Sequence, residues 1–330
     1  MASGPGMVVS TMRARLCGLA LGCAASGCDA VSPTVLIPNG VGTPLEIGMN
    51  NTALCKGRTH VHDECSILLD VPAPCAGEKS TCPVAFFLHG ETEDGKEFAR
   101  GKKAVSPALH KANWIGVYPT GDGQWNTDSI TGNDDVEFVV SLVDHISSLG
   151  AFENWLPKMG APPDGTPGLY VYGTGTGAAL AQKLAANAAA LLPIRGIWAD
   201  GAQLLEAPLK SGPGDMTYNQ PGVGHKTKPV AQVASHGTKD AVFPYQGGVP
   251  KTQHNCSTCK LMTEANSNLV WAKHNGCNTT KPTIDQTVSA TYGAGATMTN
   301  ATMHTFQYAL RLHPRHTPVC KRLYCIFYAA

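Results

Sequence analysis

The segment Leu169-Tyr170-Val171-Tyr172-Gly173-Thr174-Gly175-Thr176-Gly177-Ala178 carries the strongest structural signal in this 330-residue sequence. Its apolar and aromatic residues predict a strand, and the glycines at every second position predict a tight turn. The Ala-rich run from Gly177 to Leu192 then predicts a helix. A strand that enters a helix through so tight a turn places the turn at one edge of a sheet.

Three interpretations of this turn remain open from the segment alone. In a dinucleotide-binding fold, Gly173, Gly175 and Ala178 would form the phosphate turn, and Asp200 would hold the ribose hydroxyls. In a hydrolase, the same turn would be a nucleophile elbow, which lifts a serine above the sheet edge. A glycine-rich turn without chemistry is the third interpretation.

Short apolar runs alternate with helical patterns along the chain, which predicts an α/β fold with a mostly parallel central sheet and helices on both faces. Besides the helix after Gly177, a second helix is expected to begin at Asp134 and Asp135, because carboxylates favour a helix N-terminus. The predicted strands are 84–88, 114–118, 169–172, 196–199, 230–234 and 306–312.

Residues elsewhere in the chain favour the hydrolase interpretation of the turn. His89 and Gly90 end an earlier strand, where such enzymes place one oxyanion donor, and Asp240 follows a later strand, where they place the triad acid. His316 completes the chain order of elbow, acid and histidine.

Several further sequence segments also bear on this interpretation through their order and spacing along the chain. They are Phe86-Phe87-Leu88-His89-Gly90, Val117-Tyr118-Pro119, Gln124-Trp125-Asn126, Asp134-Asp135-Val136-Glu137-Phe138, Gly173-x-x-x-Gly177, His236-Gly237-Thr238-x-Asp240, Pro244-Tyr245, and Trp271 with Asn275-Gly276-Cys277. From about residue 60 to 320, the sequence resembles secreted α/β-hydrolases of the polyhydroxybutyrate depolymerase and feruloyl esterase type, which are related to carbohydrate esterase family one.

The resemblance implies a carboxylic-ester hydrolase that acts on an ester or on a plant or polymer polysaccharide, without a cofactor. It implies that His316 is the base, with His313 as the fallback, and that Asp240 orients it. Backbone amides near Glu91 and Thr176 would bind the oxyanion. The remaining implied oxyanion or binding residues are His89, Gly90 and Trp125.

The sequence departs from this pattern at the nucleophile, because Gly175 stands where the serine is expected. Loss of a triad nucleophile typically lowers turnover by about 10⁶-fold. Thr174 and Thr176 are the neighbouring hydroxyls, with Thr176 the better substitute, but a displacement of about 1 Å already costs about 100-fold. Two hypotheses follow: an esterase that uses Thr176, or a catalytically silent relative that binds an ester or a glycan.

A second departure is the acidic group Glu91, Glu93 and Asp94 directly after Gly90. A carboxylate about 4 Å from a developing oxyanion would oppose it by about 4 kcal/mol at an effective dielectric of 20. We therefore expect these three side chains to face solvent. The loop before His316 also departs from the family, since Pro314 and Arg315 replace small residues.

The N-terminus predicts export. Arg13 and Arg15 precede the apolar stretch from Leu16 to Ala25, so residues 1–30 are expected to be a signal peptide and residues 31–330 the hydrolase domain of a secreted protein. No later apolar run is long enough to predict a membrane span. The formal charge of +1 gives no footprint for nucleic acid.

The cysteines agree with an oxidising compartment, because nine lie beyond the predicted signal and none falls between residues 83 and 255. A local disulfide between Cys75 and Cys82 is expected. Cys256, Cys259 and Cys277 with His274 have spacing close to that of a zinc module, but export favours disulfides. We therefore predict no metal.

Overall fold

The computed structural model forms one ten-stranded sheet, in the order β1-β2-β4-β3-β5-β6-β7-β10-β9-β8. The structure describes residues 45–49, 65–75, 82–101, 105–121, 123, 125, 135–148, 168–188, 192, 194–206, 229–251, 260–275, 283–292, 296–307 and 324–329. The strands are β1 Leu45–Met49, β2 Cys65–Asp70, β3 Val84–Leu88, β4 Ile115–Pro119, β5 Leu169–Thr174, β6 Ile194–Asp200, β7 Ala231–His236, β8 Thr283–Tyr292, β9 Ala296–Gln307 and β10 Tyr324–Ala329.

Six neighbouring strands, β4, β3, β5, β6, β7 and β10, are parallel, and antiparallel pairs flank them on both sides. The described helices are α1 Gly95–Gly101, α2 Val105–Ala112, α3 Asp135–Ser148, α4 Thr176–Lys183 and α5 Glu264–His274. The predicted fold class is confirmed.

Each face of the sheet has its own apolar cluster. On one face, Phe98 of α1 and Leu109 of α2 pack with Phe87 and Tyr118 of the central strands. On the other face, α3, α4 and α5 contribute to a larger core, whose most buried members include Leu142, Leu180 and Trp271. Because β3 and β4 are buried along their whole length, the centre of the sheet is covered on both faces.

Five of the six predicted strands coincide with β3 to β7, with shifts of at most two residues at their ends, whereas β1, β2, β8, β10 and the helices α1, α2 and α5 were not predicted. The helix expected over 177–192 begins at Thr176, ends as an α-helix at Lys183 and continues as a π-helical turn over Leu184–Ala188. The strand expected over 306–312 is wrong in its start, because β9 begins at Ala296 and ends at Gln307. Residues 308–312 lie outside the described residues.

Two further sequence predictions concern disulfides and membranes. The disulfide between Cys75 and Cys82 is present, with 5.7 Å between the Cα atoms. Within the described segments, no helix combines the length and the apolar character that crossing a bilayer requires. The predicted signal peptide and the possible zinc ligands Cys256, Cys259 and Cys277 lie outside the described residues.

Candidate active site

The strand order reverses between β3 and β5, which lie side by side although β4 separates them in sequence. In open α/β sheets, ligands bind outside the carboxyl ends of the strands at such a switch point. The loop after β3, residues 89–94, and the turn after β5 at Gly175 both lie there. The switch point therefore brings together the two segments that the sequence singled out.

Gly175 has the backbone geometry of a sharp strand-to-helix corner. Its φ is 53° and its ψ is −121°, a region that costs a residue with a side chain about 1 to 3 kcal/mol and glycine very little. Its N–H donates to the Asp200 carbonyl at 2.9 Å, and its carbonyl accepts from the Ala179 N–H at 3.1 Å. The elbow is formed in full, but its apex has no side chain.

Gly173 and Gly177 serve packing rather than an unusual φ. A Cβ at Gly173 would overlap the Gly177 carbonyl and lie 2.5 Å from the Ala178 nitrogen. A Cβ at Gly177 would overlap the Leu88 carbonyl and lie 2.5 Å from the His89 oxygen. The two glycines thus let α4 lie directly against β3 and β5, which explains their spacing in the sequence.

The hydroxyl of Thr176 is directed into the protein. The residue is 7% exposed, and its Oγ1 accepts a hydrogen bond from the Trp125 backbone N–H at 3.3 Å. The Thr176 N–H, by contrast, points towards the loop after β3, where it donates to the Glu91 carboxylate. The geometry offers the amide of Thr176 to the site and holds its hydroxyl oxygen beside Trp125.

His89 and Trp125 support the loop from inside. The His89 Nε2 accepts from the Gly121 N–H at 2.8 Å, so its Nδ1 carries the proton and donates to the Gly90 carbonyl, also at 2.8 Å. The Trp125 indole N–H donates to the His89 carbonyl at 3.0 Å. Both side chains are buried, so they position the backbone around Gly90 rather than line the cleft surface.

The Glu91 side chain is only partly exposed and its carboxylate turns towards the elbow, so the expectation that it faces solvent is wrong. Its Oε1 accepts the Thr176 N–H at 3.1 Å, and its carboxylate also accepts its own backbone N–H. A Cβ built on Gly175 would overlap Oε2 and lie 3.1 Å from Oε1. The physical reason is that the missing side chain leaves space above Gly175, while unpaired N–H groups at the start of α4 attract an anion.

The surroundings of Glu91 disfavour its charged form on balance. Burial raises the pKa of this carboxyl, the two backbone hydrogen bonds lower it, and the nearby charges of Asp240 and Glu93 raise it again. The net pKa is above the ordinary value for glutamate. The cleft is therefore acidic at the position where an ester hydrolase must stabilise a negative oxygen.

The other two acidic residues of the loop also bind backbone amides. Glu93 Oε2 accepts the Gly90 N–H at 3.1 Å, and Asp94 Oδ1 accepts the Glu97 N–H at 2.7 Å at the start of α1. Both side chains are partly buried. The acidic group after Gly90 is thus a set of loop and helix caps rather than a solvated charge cluster.

Asp240 lies at the same edge of the sheet, after β7. Its Oδ1 accepts hydrogen bonds from the N–H groups of Val242 and Phe243 at 2.8 and 2.9 Å. Its Oδ2 lies 3.5 Å from the point where a Cβ would stand if Gly201, just beyond β6, carried one. The charge of Asp240 also acts on Glu91. The structure therefore brings the predicted acid, the elbow and the oxyanion loop together.

A buried ion pair between His236 and Glu264, next to Asp240, was not predicted from the sequence. The His236 Nδ1 faces Glu264 Oε2 and its Nε2 faces the Phe243 carbonyl, each at 2.8 Å, so only the doubly protonated ring satisfies both acceptors. Burial lowers the pKa of His236. This effect is smaller than the combined increase caused by Glu264, the Phe243 carbonyl and Asp240, so the net pKa is above its ordinary value. This ion pair holds the loop that carries Asp240.

The predicted base, His316, and its fallback, His313, lie outside the described residues. The strands on either side of them are described: Gln307, the last residue of β9, pairs with Tyr324, the first of β10. Because β10 is parallel to β7, both residues lie at the sheet edge opposite the elbow. The role of His316 stays a prediction.

The dinucleotide interpretation receives no support from this arrangement. The Asp200 carboxylate accepts hydrogen bonds from the Tyr172 hydroxyl at 3.1 Å and the Ser235 hydroxyl at 2.7 Å, and the strand order differs from the 3-2-1-4-5-6 order of such folds. In the described ranges, no three His, Cys, Asp or Glu side chains gather as metal ligands.

Comparison with known proteins supports the fold and no more. No family model and no curated protein matches the sequence. An acetyl xylan esterase from Aspergillus awamori aligns with 87% of this chain and 93% of its own, at 13% identity and a TM-score of 0.50.

Two other solved structures are weaker matches. The fluorophosphonate-binding serine hydrolase FphF from Staphylococcus aureus aligns with 62% of this chain and 82% of its own, at 12% identity and a TM-score of 0.44. A ferulic acid esterase aligns with 48% of this chain and 59% of its own, at 13% identity and a TM-score of 0.35. With the sheet and elbow described above, the comparison shows that this protein has the α/β-hydrolase fold.

Proposed function

We propose that this protein is an exported relative of the ester hydrolases that keeps their cleft, has lost nucleophilic ester hydrolysis, and binds a carboxylic ester or the polysaccharide that bears it. The observation that carries the proposal is the elbow apex. Gly175 has the elbow's backbone angles and no side chain that could attack a carbonyl carbon.

The neighbouring hydroxyl does not compensate for this loss. Thr176 is buried, and its oxygen accepts the Trp125 N–H instead of standing free above the sheet edge. A nucleophile also needs a base within hydrogen-bonding reach. The geometry of Thr176 therefore supports a catalytically silent site over an esterase that uses this hydroxyl as its nucleophile.

The oxyanion side of the cleft supports the same proposal. A hydrolase of this type stabilises the negative oxygen with two backbone N–H groups, and removal of one such donor costs about 10²- to 10³-fold in turnover. Here the N–H groups of Glu91 and Thr176 both donate to the Glu91 carboxylate.

Two features favour export. The Arg13 and Leu16–Ala25 pattern is typical of a secretory signal. The disulfide between Cys75 and Cys82 is of the kind that persists in oxidising compartments.

The ligand class follows the resemblance to depolymerases and feruloyl esterases, so an ester of a polymer or of a plant polysaccharide is the first candidate.

The test uses the full chain, expressed with its own N-terminus. It is incubated with a fluorophosphonate probe, p-nitrophenyl acetate and methyl ferulate, and its binding of methyl ferulate is measured by calorimetry. We expect no probe adduct by mass spectrometry, ester turnover at the buffer rate, and saturable binding. A probe adduct, ester turnover above the buffer rate, or the absence of saturable binding would refute the proposal. Turnover that Thr176→Ala abolishes and the control Thr174→Ala retains would identify an esterase that uses Thr176.

A further inference from the structure

We infer that the backbone N–H groups of Glu91 and Thr176 form an anion pocket whose resident occupant is the Glu91 carboxylate, so that a carboxylate or ester oxygen enters only by displacing it. The inference deepens the proposed function and rests on it, because a serine at position 175 and this position of Glu91 exclude one another.

The first support is the pocket itself. Thr176 is the first residue of α4, so its N–H has no partner within the helix and points outward at the positive end of the helix dipole. The Glu91 backbone N–H converges on the same carboxylate. Two convergent amides, one at a helix N-terminus, are a recognised arrangement for binding a negative oxygen.

The second support is the rigid mounting of Glu91. Thr92 has a φ of 64°, which is strained for a β-branched residue, and its N–H donates to the Gly123 carbonyl at 2.7 Å. Glu93 caps the Gly90 N–H, as described above, and Asp94 caps α1. The loop is therefore fixed on both sides of Glu91, and its backbone directs that side chain at the elbow.

The third support is steric. Oε2 lies where the Cβ of any side chain at position 175 would be placed. Glycine at 175 is thus required for Glu91 to occupy the pocket, in addition to the requirement set by φ. The absence of the nucleophile and the presence of the carboxylate form one coupled feature.

The test observes the backbone amide of Thr176 by NMR while sodium acetate is added at neutral pH. In Glu91→Ala the pocket is empty, and we expect acetate to shift the Thr176 resonance saturably, with an apparent affinity at least tenfold higher than in wild type. Glu97→Ala is the matched control, because it removes an exposed carboxylate of the neighbouring helix α1 that has no part in holding Glu91, and it should behave as wild type.

Equal acetate responses of the Thr176 amide in wild type and Glu91→Ala would overturn the inference, whether both respond or neither does. Ester turnover by the wild type would instead refute the proposed function, so the two failures are distinguishable.

A second measurement needs no folded variant. In wild type, the Thr176 resonance should move with the ionisation of Glu91. Its midpoint should lie above the ordinary pKa of glutamate, because burial and the nearby charges of Asp240 and Glu93 raise the pKa of this carboxyl more than its backbone hydrogen bonds lower it. A Thr176 resonance that does not change between about pH 4 and pH 8 would overturn the inference.

Discussion

The elbow, residues 173–177, and the acid loop, residues 236–245, lie at the same edge of the sheet but differ in whether a side chain helps to fix their backbone. The elbow retains its backbone geometry, and its apex residue lacks a side chain. The acid loop retains both its backbone and Asp240, whose carboxylate accepts two backbone N–H groups. The comparison teaches that packing alone fixes the backbone of the elbow, whereas a side chain helps to fix the backbone of the acid loop.

The reason lies in what each segment contributes to stability. The elbow is fixed by the close contact of α4 with β3 and β5, which depends on Gly173 and Gly177 and not on residue 175. Asp240, by contrast, closes its own loop through hydrogen bonds. The elbow therefore forms without a side chain at position 175, whereas loss of Asp240 would remove the acceptor of two backbone N–H groups.

The largest expected effect breaks the acid loop. Glu264→Ala leaves the buried His236 with only the more distant carboxylate of Asp240, 3.6 Å from its Nε2, and removes an acceptor from Asn268. We therefore expect a loss of about 3 to 5 kcal/mol in the free energy of unfolding. Urea denaturation measures it. The control is Glu206→Ala, which removes the exposed ion pair with Lys260 and should cost less than about 1 kcal/mol. Equal losses would contradict the role assigned to the buried pair.

The next effect breaks the elbow without touching its apex. Gly177→Ala places a Cβ against the backbone carbonyls of Leu88 and His89, neither of which can rotate away, so a loss of about 1 to 3 kcal/mol is expected. Thermal unfolding followed by circular dichroism checks it. Gly237→Ala is the control, because a Cβ there meets nothing within 4 Å. A Gly177→Ala protein as stable as this control would show that the elbow is not held by packing.

The smallest effect sharpens the comparison through pH. Since the folded-state pKa of His236 lies above its ordinary 6.5, its contribution to stability is complete below about pH 6.5 and is lost as the pH rises through the raised pKa. For one proton the slope is at most about 1.4 kcal/mol per pH unit. The stability difference between wild type and His236→Gln should therefore shrink towards alkaline pH. A difference that is constant with pH would mean that folding does not raise the pKa of His236.

Much of the fold could be predicted from local sequence patterns. The apolar runs at 84–88 and 169–172 are strands, and the Asp134-Asp135 signal gives a helix that begins at Asp135. The strands β1, β2, β8 and β10 were not predicted, although Thr283–Tyr292 has an alternating pattern and Tyr324–Ala329 is rich in aromatic residues. Both were available signals.

The candidate site was harder to predict because its contacts are long-range. Glu91 was identified as an acidic departure, but its sequence neighbours are polar loop residues and suggested solvent. Thr176, which binds its carboxylate, is 85 residues away. The pair of His236 and Glu264 is separated by 28 residues and carries no shared motif.

The sequence by itself determined the strand-turn-helix corner, the glycine at its apex and the acid after β7, because hydrophobic periodicity and glycine spacing are local properties of the chain. Only the tertiary structure decided where the Glu91 side chain points and which groups raise the pKa of His236. Those outcomes depend on the space above Gly175 and on donors and acceptors from segments that are far apart in sequence, which meet only when the parallel sheet aligns its carboxyl ends.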